Sequence, residues 1–70
     1  YSSKETIQVL REKGFVYISQ KGSHVKFRKS DKGVLTVIVP ANRKEIPHGT
    51  FRSILRQANL TEEEFQKILR

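Results

Sequence analysis

The run Val34-Leu35-Thr36-Val37-Ile38-Val39, opened by Gly33 and stopped by Pro40, is the tightest constraint in this chain. Residues so rich in β-branched side chains suit a pleated strand, and the run is far too short to cross a bilayer as a helix. A strand this apolar cannot stand bare in water, because an open apolar edge is a template for aggregation. It needs a paired strand beside it and cover from either the chain's own helices or a partner chain.

The pairing strands lie upstream. Phe15 to Gln20 is rich in aromatic and β-branched residues, and His24 to Lys29 alternates polar with apolar. Together they read as a hairpin turning at Lys21 and Gly22. The expected register sets Ser19 against His24, Ile18 against Val25, Tyr17 against Lys26 and Val16 against Phe27. Val16, Ile18, Val25 and Phe27 then face the core, while Tyr17, Ser19, His24, Lys26 and Arg28 share the other face. A slip of one residue would invert that assignment. Ser30 to Gly33 is a turn by composition.

Helices flank the strands on both sides. Ser2 and Glu5 have capping-box spacing, Ile7 and Leu10 fall three apart, and Gly14 suits a left-handed C-terminal position, so residues 3 to 13 form a first helix. After a loop holding Asn42, Arg43 and Lys44, Gly49 and Thr50 open a second helix. Its Phe51, Ile54, Leu55 and Ala58 repeat at i, i+3, i+4, i+7, and Asn59 ends it. Thr61 and Glu64 form another capping box, and Leu60 with Phe65 has hydrophobic-staple spacing, so a short third helix follows. The expected fold class is α+β, in the order α-β-β-β-α-α.

Seventy residues support one thin core, so a single domain over residues 1–70 is expected, without a deep cofactor site. Fourteen Lys and Arg against seven Asp and Glu leave a formal charge of +7. The excess sits in the hairpin and second helix, and it points to polyanionic partners, with nucleic acid ahead of membranes or acidic proteins. The absence of Cys removes disulfides, thiol nucleophiles and zinc–thiolate sites, and it suits a reducing compartment. The absence of Met at position 1 is what a trimmed chain would show.

Gly22, Ser23 and His24 set a histidine at the head of a strand that continues with Lys26, Arg28 and Lys29. RNA carries its own nucleophile, the 2′-hydroxyl. Cleaving it requires a group that moves protons near neutral pH and cations that stabilise a charged phosphorane. His24 fits the first role, while Lys21, Lys26 and Arg28 fit the second. Gly22 and Ser23 shape a turn whose backbone N–H groups approach phosphate. An ordinary solvated histidine beside a basic, solubilising face would look the same in sequence. Tyr17 could stack an unpaired base, and Arg52 and Arg56, four apart on the second helix, could extend a phosphate track or simply solvate that helix. His48, the other histidine, is either an auxiliary acid/base or a polar residue at a helix entry. No carboxylate cluster suits a metal, since Glu62, Glu63 and Glu64 occupy a first helical turn where they favour the dipole.

Gly14 to Val16, Lys21 to His24, Thr36 to Pro40, Glu45 to Thr50 and Ile54 to Leu60, in this order, resemble the HicA family of small toxins from prokaryotic toxin–antitoxin pairs. Lys21-Gly22-Ser23-His24 and Gly49-Thr50-Phe51, with Ile54-Leu55-Arg56-Gln57-Ala58 following, are the most specific pieces. The resemblance implies a fold similar to the double-stranded-RNA-binding domain, a three-stranded antiparallel sheet with helices on one face. It also implies a cytoplasmic, metal-independent mRNA endonuclease that shuts down translation, uses His24 as its catalytic residue, needs no cofactor and is blocked by a HicB-like antitoxin. Many members carry histidine where this chain has Asn42, and lysine is common where it has His48. Asn42 and His48 are therefore the candidate auxiliary positions. A non-catalytic RNA-binding module with the same fold is the alternative, and a chain whose basic face docks an acidic inhibitor is a third reading, compatible with the endonuclease.

Overall fold

The computed structural model describes residues 1–30 and 32–70. Among them the order is α1 (Ser3–Glu12), β1 (Val16–Lys21), β2 (His24–Ser30), β3 (Val34–Pro40), α2 (His48–Ala58) and α3 (Glu62–Leu69). The strands form one antiparallel sheet in the order β1-β2-β3, which makes β2 the central strand. This is the α-β-β-β-α-α arrangement, of the α+β class, that the sequence pattern predicts. The turn expected over Ser30 to Gly33 includes Asp31, which lies outside the described residues.

Local chemistry sets the helix ends. At α1 the Glu5 N–H donates to Ser2 Oγ at 3.0 Å, and the Ser2 N–H donates back to Glu5 Oε1 at 2.9 Å. The helix stops one residue short of the expected end, with Lys13 as C-cap. Gly14 then takes φ 100°, and the Phe15 N–H closes the end on Leu10 O at 2.9 Å. The same reciprocal box opens α3, where the Glu64 N–H donates to Thr61 Oγ1 at 3.0 Å and the Thr61 N–H to Glu64 Oε1 at 2.9 Å. Helix α2 begins at His48, ahead of the expected Gly49 and Thr50, because Pro47 serves as its N-cap. Asn59 ends it in the left-handed region at φ 56°.

The core lies between the sheet and the helices. Val25, Phe27, Val37 and Val39 from the strands meet Val9 and Leu10 of α1 and Phe51, Ile54, Leu55 and Ala58 of α2. Phe65 of α3 joins this core, with its ring centroid 4.8 Å from Phe51 and 4.8 Å from Tyr1. Each fully buried side chain of this size contributes about 1.5–3 kcal/mol. The edge of β3 is managed from within the chain, because the outward Ile38 N–H donates to Gln57 Oε1 of α2 at 3.0 Å. Gln57 Nε2 in turn donates to Ser53 Oγ at 3.2 Å. Of the two kinds of cover expected for this strand, a helix supplies one.

The hairpin departs from its expected register. Lys21 pairs with His24, Gln20 with Val25 and Ser19 with Lys26, so Gly22 and Ser23 form the turn. Gly22, at φ 59°, takes the first central position, where two-residue hairpin turns require a positive φ. Relative to expectation this moves the pairing by two residues, which leaves every side chain on its expected face. A bulge between Tyr17 and Ser19 does not. It inserts Ile18 as an extra residue, so Tyr17 pairs with Phe27 and Val16 with Arg28. Val16 and Ile18 are therefore exposed rather than core residues. Tyr17 lies on the helix-facing side against Phe27, not beside His24, Lys26 and Arg28.

Candidate functional site

The hairpin tip is held on both sides. The Ala41 N–H donates to Ser23 O at 2.7 Å, tying the turn to the residue after β3. Gln20 Nε2 donates to Gly22 O at 3.1 Å across the turn itself. A Cβ on Gly22 would meet open space, so the backbone angle, not crowding, is what calls for glycine there.

His24 therefore stands at a fixed place, at the head of the central strand between Lys21 on β1 and Pro40 on β3. Its side chain is exposed. Lys26 and Arg28 follow on the same outward face, half-buried, in a row with a step of about 7 Å per pair of residues. Arg28 Nε is buried without a hydrogen-bond partner among the described residues. An unsatisfied buried donor costs about 1–3 kcal/mol.

Beside this row a cleft of about 340 Å³ is lined by His24, Ile38, Pro40, Arg43, Pro47 and Thr50. It joins the head of β2 to the first turn of α2. That turn has no side-chain cap and no acidic residue, unlike the boxed starts of α1 and α3. The cleft is thus lined by an imidazole, a guanidinium and a hydroxyl beside the positive end of a helix dipole, and by no carboxylate among the described residues.

Of the cleft's polar members, Arg43 and Thr50 are the two that no local sequence pattern ties to His24. Both lie far from His24 along the chain, and the cleft exists only because loop 41–47 folds back. A latch fixes that loop: Ser3 Oγ donates to Pro40 O at 2.6 Å, the Arg43 N–H donates to Ser3 Oγ at 3.0 Å, and the Ser3 N–H donates to Arg43 O at 2.9 Å. Ser3 is buried at the first position of α1, so a helix start doubles as the anchor of the cleft.

The other expected site residues gather elsewhere. His48, Arg52 and Arg56 share a second cleft of about 450 Å³ with Leu55, Leu60 and Glu62. His48 thus shares a cleft with the helical arginines, and the His24 cleft does not include it. Tyr17 and Asn42 meet in a third groove, between α1 and the hairpin. Among the described residues no group of three His, Asp or Glu is placed to hold a metal ion. Nor is any described helix long and apolar enough to cross a membrane.

A family model described as the HicA toxin of bacterial toxin-antitoxin matches residues 3–60, from the start of α1 to Leu60, leaving α3 outside. No curated protein matches the chain.

Proposed function

The chain belongs to the HicA family of toxins from bacterial toxin–antitoxin pairs, and from that premise we propose that residues 1–70 act as a single toxin domain, a metal-independent endoribonuclease that cuts mRNA and stops translation. The observation that carries this reading is the placement of His24, exposed at the head of β2 beside a fixed turn, between a cationic strand face and the Arg43 cleft. His24 Nε2 or Nδ1 takes the proton of a ribose 2′-hydroxyl as its oxygen attacks phosphorus. The O2′–P bond forms and the P–O5′ bond breaks, giving a 2′,3′-cyclic phosphate and a 5′-hydroxyl. The proton returns to the departing 5′-oxygen from the imidazolium, directly or through water. Lys21, Lys26 and Arg28 hold phosphates, Gly22 and Ser23 keep the turn open to the backbone, and Arg52 with Arg56 extends the track. The nucleophile comes from the RNA and the proton carrier from the protein, so the reaction draws on no metal. Asn42 and His48 assist RNA binding rather than the proton transfer at His24. A HicB-like antitoxin blocks the protein by covering the His24 face, in the cytoplasm, until stress releases it.

One observation favours the alternative of an RNA-binding module without cleavage. The two histidines line separate clefts, so the cleft of His24 holds no second imidazole. Purified protein and the His24→Ala variant, incubated with labelled single-stranded RNA in EDTA, separate the readings. The ribonuclease predicts cyclic or 3′-phosphate ends from the wild type and a loss of about 10²–10⁴ in rate for the variant, with binding retained. Ends bearing 3′-hydroxyls, or cleavage abolished by EDTA, would exclude this mechanism. Equal binding without cleavage by either protein would favour the module.

A further inference from the structure

The groove between α1 and the hairpin, about 750 Å³, falls within the size range of small-ligand sites, roughly 300–1,000 Å³. Its floor is apolar, with Ile7 and Phe27, and its rim carries Tyr17, Gln20, Asn42 and Arg43. Tyr17 is 53% exposed and stands with its ring plane 85° to that of Phe27, centroids 6.3 Å apart. Whichever ring presents its edge, at least one face of Tyr17 remains free of Phe27. The Gln20 amide donates to Gly22 O through Nε2, which leaves Oε1 to accept. A flat, edge-polar group is what such a wall fits: an aromatic face to stack on and two amides to meet its donors and acceptors.

Arg43 decides what that group is attached to. It lines this groove and also the His24 cleft, so the two adjoin at one residue. Lys4 and Arg11 line the groove as well, with Glu12 as its one acidic residue, so cations prevail there. A phosphate chain running from the His24 cleft past Arg43 enters the groove that Tyr17 lines.

We propose that this groove is a base subsite, which takes an unstacked nucleobase adjacent to the phosphate held between His24 and Arg43. The inference rests on the ribonuclease reading only for the position of the phosphate. Tyr17 stacks the base, Gln20 and Asn42 read its edge, and Arg43 links the two compartments. The bulge at Ile18 is what turns Tyr17 toward this side, so the irregularity in β1 is what builds the subsite.

The test measures equilibrium binding by fluorescence anisotropy, in a His24→Ala background so that the probe survives. Two probes are used: a short labelled single-stranded RNA and an abasic strand with the same phosphates. Tyr17→Ala should weaken the RNA about 10-fold, within the range of single base–aromatic stacks, and leave the abasic strand unaffected. Tyr17→Phe, which keeps the ring, should bind both probes as the parent does. Arg43→Ala should weaken both probes alike and lower the salt slope by about 0.7, one phosphate's share on a single strand. Unchanged RNA affinity in Tyr17→Ala overturns the proposal, as does an equal loss on both probes. If Tyr17→Ala leaves RNA binding alone and weakens an antitoxin complex, the groove is a protein-docking surface and the proposal also falls. A Tyr17-dependent RNA affinity in a chain that does not cleave supports the subsite and removes the nuclease. Cleavage without Tyr17 dependence does the reverse.

Discussion

Replacing Ser3 with alanine tests whether the start of α1 really holds the His24 cleft together. The hydroxyl is buried, donates to Pro40 O at 2.6 Å and accepts from the Arg43 N–H at 3.0 Å. Each bond contributes a net of about 1 kcal/mol, and its removal leaves a part-buried carbonyl and amide without partners. Against this, alanine has the better helix propensity, by about 0.5 kcal/mol. The expected loss is therefore about 1.5 kcal/mol. A domain of this size has roughly 3.5–10 kcal/mol in total, so the loss is a sizeable share. It corresponds to a fall of about 6–12 °C in Tm. Urea unfolding followed by circular dichroism should show a lower midpoint at unchanged slope, with Lys4→Ala, one residue along, as an exposed control. Amide exchange should speed up at Arg43, whose N–H loses its acceptor, and less at Val9 in the helix interior. A shift below about 0.5 kcal/mol, or unchanged exchange at Arg43, would refute the latch.

Two other perturbations follow from the same bonds. Gln57→Ala removes the acceptor for the Ile38 N–H, so it should cost about 1 kcal/mol and open the β3 edge to pairing. Concentration-dependent self-association in sedimentation would appear in the variant only, and its absence would mean that the edge needs no cap. In the two capping boxes, backbone N–H donation from Ser2 and from Thr61 holds the Glu5 and Glu64 carboxyls below their ordinary value of 4.5. The unfolded chain then takes up these protons at higher pH than the folded one. The caps accordingly contribute in full above that value, and their contribution is lost as pH falls through the lowered folded values. Glu5→Gln with Glu64→Gln keeps the box geometry but cannot titrate, so its unfolding midpoint should fall less steeply between neutral and acid pH. An identical pH slope in the double variant would assign the acid sensitivity to other groups.

The features legible in sequence were those governed by a few adjacent residues. Ser2 with Glu5, Thr61 with Glu64, Gly14 and Asn59 each marked a helix end, because a cap satisfies its backbone groups within one turn. The 3.6-residue repeat of α2 gave its buried face correctly, down to Phe51, Ile54, Leu55 and Ala58. Faces of the hairpin were harder, since periodicity cannot reveal an inserted residue. One bulge at Ile18 exchanged the sides of Val16 and Tyr17 while leaving β2 as expected. The chemistry divided in the same way: His24, Lys26 and Arg28 lie on one strand and were placed together by alternation. Arg43 and Thr50 join His24 only through a loop closure.

The sequence by itself determined which elements form, their order, the core face of α2, and the histidine at the head of a cationic strand. These depend on side-chain period and capping, which act over two to four residues. Only the tertiary structure decided that loop 41–47 returns to His24 and that Tyr17 opens onto α1. The first depends on bonds between distant residues, Ser3 with Pro40 and Arg43 and Ala41 with Ser23, and the second on a bulge set by pairing with β2. Each such bond requires a buried polar group to find its partner across the fold, and no local pattern in the chain encodes that match.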